Sequence, residues 1–336
     1  MTSVPAQNNA TMDDGLRPVN LRTDLAPLAD LIELVFADSM DQGGRAAVRE
    51  MRYLSKVGGG ISLLPGLNDL THGINMGYVW IADGRLVGNV SIYPTHKPYR
   101  NTWIIANVGV HPSYQRRGIA TQLMRASMET IRARGGEQAI LQVDVENEAA
   151  RRVYSRLGFV DERAWILWRR SAGLRVPMPV IESGVRISHR RRGEWQEEYE
   201  LARRVRPAER GGLGWQRPLD ISLFRKPFLR RVLDWMNMRG EERLIIRSED
   251  ETRVLASLWV ETGFLTTSTQ LTLMVDPEWR GIYDEVLINT AVRRFSSRTT
   301  ALMLEHPADE THTGEVLRKY QFRPQREVMH MRWDVK

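Results

Sequence analysis

Residues 108–120 read Val-Gly-Val-His-Pro-Ser-Tyr-Gln-Arg-Arg-Gly-Ile-Ala, an apolar strand pattern that passes through a proline-marked turn into a helical one. The first turn of a helix leaves four amide N–H groups without internal partners, and the helix dipole adds positive character there, so this junction can hold an anion. Gly118 removes the side chain where a phosphate would have to come close, and Ala120 keeps the next approach narrow. A plain strand-to-helix turn would also use one glycine, but strand, proline and helix in a single run favour the anion reading. Farther along, Asn147 stands as an N-cap before Ala150, Val153, Tyr154 and Leu157, with Gly158 at the C-terminal stop. On spacing alone, Tyr154 is a core aromatic beside Val153 and Leu157.

The elements that must position these residues are well punctuated. Tyr78 to Ala82 and Leu86 to Tyr93 flank Asp83-Gly84, a pair that supplies the positive φ angles of a tight hairpin. A strand from Trp103 to Val110 then delivers the chain to the loop. Ile119, Leu123, Met124, Met128 and Ile131 recur at helical spacing, with Arg125, Glu129 and Arg132 opposite, so an amphipathic helix runs to the stop at Gly135-Gly136. Ala139 to Val145 reads as the next strand.

Two segments together resemble a known family. Gln115-Arg116-Arg117-Gly118-Ile119-Ala120 is similar to the Gln/Arg-x-x-Gly-x-Gly/Ala loop of the GCN5-related N-acetyltransferase (GNAT) superfamily. Asn147 to Phe159 resembles that family's Asn-x-x-Ala-x-x-x-Tyr-x-x-x-Gly-Phe segment. The match covers roughly residues 78 to 170. The resemblance implies an α/β fold with a mixed sheet and acetyl-CoA as the acetyl donor, with no metal. It places the backbone of Val108 and Val110 beside the pantetheine arm, as if a ligand strand were added to the sheet. The amides of Arg116, Arg117, Gly118, Ile119 and Ala120 would hold the pyrophosphate, with the Gln115, Arg116 and Arg117 side chains near the charged end. A strand splayed near Gly109 would leave an N–H to polarise the thioester carbonyl. Asn147 would touch the pantetheine or acyl region as well as capping its helix, and Tyr154 would be the general acid that protonates the departing thiolate.

One part of the family pattern is missing. Many members carry an acid on the strand before the loop, where this chain has Ala106 and Asn107. An amine must lose a proton before it attacks, so Asp69, His72, Glu50 and His111 are candidate bases, none of them assigned.

The chain repeats itself. Val110-His111-Pro112-Ser113-Tyr114 returns in type as Val275-Asp276-Pro277-Glu278-Trp279, and Val153 to Phe159 returns as Val316 to Phe322, with two residues lost between the pairs. The loss falls where Gln115 to Gly118 shortens to Arg280-Gly281. Leu317 replaces Tyr154, Gln321 replaces Gly158 and Glu310 replaces Asn147, so the second copy keeps the fold and is expected to lack the activity. Pro177 and Pro179 mark the junction. The expected layout is a flexible tail over 1–16, an acetyl-CoA-binding domain over 17–170, a linker over 171–183 and a degenerate GNAT-like domain over 184–336.

Length and composition agree with two soluble domains: 336 residues, 42% hydrophobic, with no run of 18 apolar residues to span a membrane. The absence of cysteine excludes disulfides, zinc–thiolate sites and an acyl-cysteine intermediate. Net charge is +7, carried by arginine, since five of 48 basic residues are lysine. The run His189-Arg190-Arg191-Arg192 has no nucleic-acid motif around it, and nucleic acid is not an expected partner. The N-terminus has no basic-then-apolar signal, and a cytoplasmic location is expected. The expected partner is a small-molecule or peptide amine acceptor, and the chain is expected to be a monomer with a pseudo-dimeric domain pair or a homodimer. The alternative is an acyl-CoA-binding sensor or scaffold without turnover.

Overall fold

Buried positions at Ile119, Leu123, Met124, Ser127, Met128 and Ile131 turn one face of a helix toward a sheet, as their spacing requires. A computed structural model describes this arrangement for residues 14–37, 40, 42–57, 76–95, 101–180, 184–215, 217, 219–225, 240–263, 268–295 and 300–336. The described chain forms two compact units. The first holds the described residues up to Leu141 together with Glu148–Val160 and Arg332–Lys336; the second holds Gln142–Asn147 and Asp161–Met331. Among the described residues no helix is long and apolar enough to cross a membrane.

In the first unit the strands β1 (Gly15–Pro18), β2 (Gly77–Ala82), β3 (Arg85–Pro94), β4 (Thr102–Val110) and β5 (Gln138–Asp144) lie in that order. β1 to β4 are antiparallel and β5 runs parallel to β4. The hairpin between β2 and β3 turns on Asp83 and Gly84, with φ of 51° and 67°, the positive pair expected of Asp-Gly. Helices α1 (Leu21–Phe36) and α2 (Gln42–Val57) bury Leu25, Leu28, Leu31, Val48, Met51 and Leu54 with Val79 and Ile81 of β2. The amphipathic helix is α3 (Ile119–Ala133). It lies so close to β3 that a Cβ on Gly88 would fall 2.9 Å from Ile119 Cγ2, which fixes where its N-terminus sits. α4 (Glu148–Arg156) follows β5 and buries Tyr154.

The second unit repeats the plan. Its strands lie in the order β12 (Arg323–Asp334), β6 (Val160–Arg170), β11 (Ala301–Pro307), β10 (Ser268–Val275), β9 (Val254–Thr262), β8 (Gly240–Arg247) and β7 (Ile187–His189). β11 is parallel to β10 and antiparallel to β6. Helices α5 (Trp195–Val205) and α6 (Ile221–Phe224) share a core with Trp259 and Met274, and α7 (Tyr283–Phe295) and α8 (Thr311–Lys319) share one with Leu271, Leu273 and Leu304. The series of hairpin, strand, turn, helix, strand, helix and closing strand thus occurs twice, as the repeat predicts, in the mixed-sheet α/β fold that the resemblance implies. The units do not divide at the proline-marked junction: β6 precedes that junction yet packs in the second unit, and the last five residues pack in the first.

Candidate active site

β4 carries an extra residue. Asn89 faces Gly109 and Ser91 faces Ala106, so one step more is taken on β4 than on β3 between those pairs. The bulge falls at Asn107, whose φ of 53° places it in the left-handed region that asparagine tolerates. It is held from β3: buried Asn89 donates from Nδ2 to the Asn107 carbonyl at 3.0 Å, and Asn107 Nδ2 donates to Ser91 Oγ at 3.3 Å. The ladder from β4 to β5 comprises Thr102, Trp103 and Ile104 alone. From Ile105 onward β4 has no β5 partner, which leaves the backbone around Val108 and Val110 open to an extended ligand. Gly109 has a packing reason: a Cβ there would lie 3.3 Å from Val35 Cγ1 and 3.4 Å from Phe36 Cε2, at the end of α1.

The loop after β4 is clamped to the hairpin. The His111 amide donates to the Val87 carbonyl at 2.8 Å, and Tyr114 Oη donates to Asp83 Oδ2 at 2.7 Å. Gln115 Nε2 donates back to the Val110 carbonyl at 3.2 Å. The Arg117 guanidinium lies 4.9 Å over the Tyr114 ring and donates to the Ser113 carbonyl. Gln115 and Arg117, expected near a charged ligand, therefore also shape the loop itself.

Arg116 and Gly118 both take left-handed φ, 62° and 79°. Among the described residues, the amides of Arg116 through Thr121 have no protein acceptor; the first to close is Gln122, on the Gly118 carbonyl at 3.1 Å. Successive free amides at a helix start, two of them turned by left-handed neighbours, form an anion nest. A Cβ on Gly118 would meet nothing within 4 Å, so the space above it is open and glycine is required for φ and for a ligand's approach. This geometry fits a pyrophosphate.

Tyr154 is 6% exposed, and no hydrogen-bond partner holds its hydroxyl among the described residues. Burial pushes the phenol well above its ordinary range. Its ring lies 6.1 Å from Phe159, which lies 6.2 Å from Trp333, so the first unit's aromatic wall ends on a residue of β12. Asn147 precedes α4 and its amide donates to the Asp144 carbonyl at 2.9 Å; it belongs with 142–146 to the second unit. Of the candidate bases, Asp69 and His72 lie outside the described residues, and Glu50 sits half-buried on α2. His111 accepts the Ser113 amide at Nδ1, which occupies that nitrogen in the turn. Asn89 and Ser91, which hold the bulge from β3, carry no local signal in the sequence, whereas the left-handed-tolerant Asn107 inside a β run is a readable one.

The second copy fills the same places with its own side chains. β10 pairs with β9 without a shift, so the bulge is missing there. Gly281 repeats Gly118 and its φ is 89°, but its amide donates to Asp284 Oδ2 at 2.8 Å. Asp284 stands where the first copy has Thr121, is fully buried, and also accepts from Thr313 Oγ1. Leu273 repeats Val108, and its carbonyl is taken by Arg206 Nη2 at 2.9 Å. Arg206 is bonded in turn to Glu310, which repeats Asn147 and also meets Arg163 at 2.9 Å, His306 at 3.0 Å and Arg280 at 3.3 Å. Burial alone would raise the Glu310 carboxyl; Arg206 and His306 overcome it and hold the group below the usual carboxylate range. An internal carboxylate thus sits on the nest amide and an internal ion cluster takes the strand carbonyl.

Residues 62–159 match the model of the Acetyltransferase (GNAT) family. N-alpha-acetyltransferase 30 of Schizosaccharomyces pombe is 34% identical over 83 residues, 24% of this chain and 55% of that protein. Mycothiol acetyltransferase of Streptosporangium roseum is 36% identical over 75 residues, 22% of this chain and 21% of that protein. The alignments therefore span about half of the first relative and a fifth of the second. Among solved structures, a GCN5-related N-acetyltransferase from Sphaerobacter thermophilus is similar with a TM-score of 0.59 and 16% identity, over 96% of this chain and 97% of that one. A tandem GNAT protein from the clavulanic acid biosynthesis pathway is similar with a TM-score of 0.52 and 15% identity, over 96% and 98% of the two chains. Those two likenesses extend the shared fold to nearly the whole chain.

Proposed function

We propose, from the match of residues 62–159 to the GNAT acetyltransferase family, that this chain moves the acetyl group of acetyl-CoA directly onto a primary amine in a ternary complex built on the first copy. The observation that carries the reading is the run of unpartnered amides from Arg116 to Thr121 beside the open side of Gly118. A diphosphate there takes up hydrogen bonds that the protein leaves unmade, and the helix dipole adds to them. Acetyl-CoA supplies the activated thioester, the C–S bond breaks as the N–C bond forms, and the proton shed by the amine passes to solvent. The bulged β4 offers its free backbone edge around Val108 and Val110 to the pantetheine arm. Tyr154 holds its proton across the neutral range and delivers it from Oη to the departing sulfur. Holding amine and thioester in one site supplies much of the rate.

A calorimetric titration of the whole chain with acetyl-CoA tests this. The expected result is one site per chain, since Asp284 and Arg206 already occupy the equivalent places in the second copy. Gly118→Val should abolish that site, because a β-branched residue is strained at φ 79° and covers the nest. Binding that survives Gly118→Val, or a second site per chain, overturns the assignment.

A second reading, an acyl-CoA sensor without turnover, is favoured by one observation: Ala106 and the bulged Asn107 put no carboxylate on β4. Release of the CoA thiol in the presence of an amine distinguishes the two, because a sensor releases none.

A further inference from the structure

The amides of Arg116 through Thr121 have no protein acceptor among the described residues, and Arg116 and Gly118 within that run hold left-handed φ. A stretch whose backbone makes so few bonds of its own keeps one shape only if its ends are fixed from outside, because each free residue gains entropy by leaving it. At the far end α3 does this, with Ile119 buried close against Gly88. At the near end the restraints run to the turn at 110–114. Gln115 donates to the Val110 carbonyl, and Arg117 rests on the Tyr114 ring and donates to the Ser113 carbonyl.

That turn is tied in its own right to the hairpin of β2 and β3. The His111 amide on the Val87 carbonyl holds its start, and the bond from Tyr114 Oη to Asp83 Oδ2, 2.7 Å long, holds its tip. The carboxylate raises the Tyr114 phenol above its ordinary range, so the hydroxyl stays a donor and the bond is charge-assisted. Asp83 is itself fixed. Its φ of 51° sets it in the hairpin turn, and Asp14 accepts its amide at 3.2 Å and the Gly84 amide at 3.3 Å. A line of contacts thus leads from Asp14 through the hairpin and Tyr114 to Arg117 in the nest loop.

The second copy replaces this tie. Trp279 stands where the first copy has Tyr114; an indole has no hydroxyl to give, and its ring stacks on Tyr283 at 4.7 Å and 3° from parallel. There the Gly281 amide is already taken by Asp284, so no ligand has to be received. The tie accompanies the open nest, and aromatic packing accompanies the filled one.

We infer that Tyr114 and Asp83 are positioning residues for acetyl-CoA: their bond orders the nest loop before the ligand arrives, so the entropy of fixing it is lost in folding and not in binding. This role rests on the reading of the nest as the pyrophosphate site. The bond acts through the loop and not on the thioester, so it sets affinity and leaves the chemical step alone.

The test uses the full chain, with calorimetric titration by acetyl-CoA and with trypsin digestion in its absence. Tyr114→Phe removes the oxygen alone, and Asp83→Gly removes the carboxylate while keeping the left-handed turn. Each should weaken the acetyl-CoA dissociation constant about 3- to 10-fold, with the double variant no weaker than the worse single one. Asp83→Asn keeps an acceptor at Oδ1 and should bind within about twofold of the wild type. Without ligand, cleavage after Arg116 and Arg117 should be severalfold faster in Tyr114→Phe and unchanged in Asp83→Asn. In thiol-release assays the KM for acetyl-CoA should rise with kcat unaltered, a split that a general loss of stability does not give. Wild-type affinity in Tyr114→Phe and Asp83→Gly overturns the positioning role, as do additive losses in the double variant or a fall in kcat as large as the rise in KM. Weakened binding in both variants with no thiol release from any amine leaves the role standing and removes the transfer reading. No acetyl-CoA binding by the wild-type chain removes both.

Discussion

Tyr154 places a hydroxyl in an apolar setting where it makes no hydrogen bond among the described residues, so removing that oxygen should cost the fold little. Tyr154→Phe is therefore a clean probe of proton delivery. A thiol leaves with a pKa near 8.5, so a departing thiolate needs modest help, and kcat should fall by about 10- to 100-fold, the low end of what a general acid contributes. Acetyl-CoA affinity should not change. Burial raises the phenol, and an acid works only while protonated, so Tyr154 should impose no alkaline decline in kcat below its ordinary pKa of about 10. A decline through pH 8 to 9 that disappears in Tyr154→Phe would show a phenol with a lowered pKa and contradict the burial argument. Steady-state rates of thiol release across that range decide the matter.

The site depends on how strands and helix ends meet as much as on single side chains. The left-handed φ at Asn107 turns β4, and the Asn89 and Ser91 side chains hold that turn from the neighbouring strand. Asn107→Val puts a β-branched residue where only glycine, asparagine or aspartate sits comfortably, a strain of about 1 to 2 kcal/mol, and removes the bond to Ser91. The KM for acetyl-CoA should rise severalfold with a smaller change in melting temperature; a variant with wild-type KM would show that the bulge does not set the ligand edge. The nest loop, by contrast, was legible in the sequence, because its chemistry is local: a proline turn, a glycine and a helix start within a few residues. The bulge was hidden because it exists only as a register between β3 and β4, and the asparagines that hold it are 18 residues apart. The second copy shows the same limit. Its shortened loop and the Leu317 and Glu310 replacements were visible, whereas Arg206, which reaches a carbonyl 67 residues later, was not.

At the scale of the molecule, the two copies read along the chain are not the two units in space. The first unit takes in Arg332–Lys336. There Val335 donates to the Glu137 carbonyl at 2.9 Å, Arg132 lies 5.5 Å over the Trp333 ring, and Trp333 backs Phe159, which backs Tyr154. A Cβ on Gly158 would sit 3.7 Å from that same indole. We propose that this is why a second copy without a nest or a tyrosine is retained: its closing strand completes the unit that holds the first copy's loop. The domain boundary expected at 171–183 then marks a change of copy in sequence and not a place where the protein can be cut into working parts. Residues 1–183 produced alone would expose the apolar face of Phe159 and leave the end of β5 unpaired, and are expected to show weak acetyl-CoA binding and a low, broad melting transition. Mixing them with a fragment of residues 184–336 should restore both, because the missing strand is supplied in trans. Trp333→Ala in the intact chain is the milder form of the same change, and truncating a buried tryptophan to alanine costs about 3 to 5 kcal/mol. A 1–183 fragment that melts cooperatively and binds acetyl-CoA as tightly as the whole chain would show that the strand is dispensable.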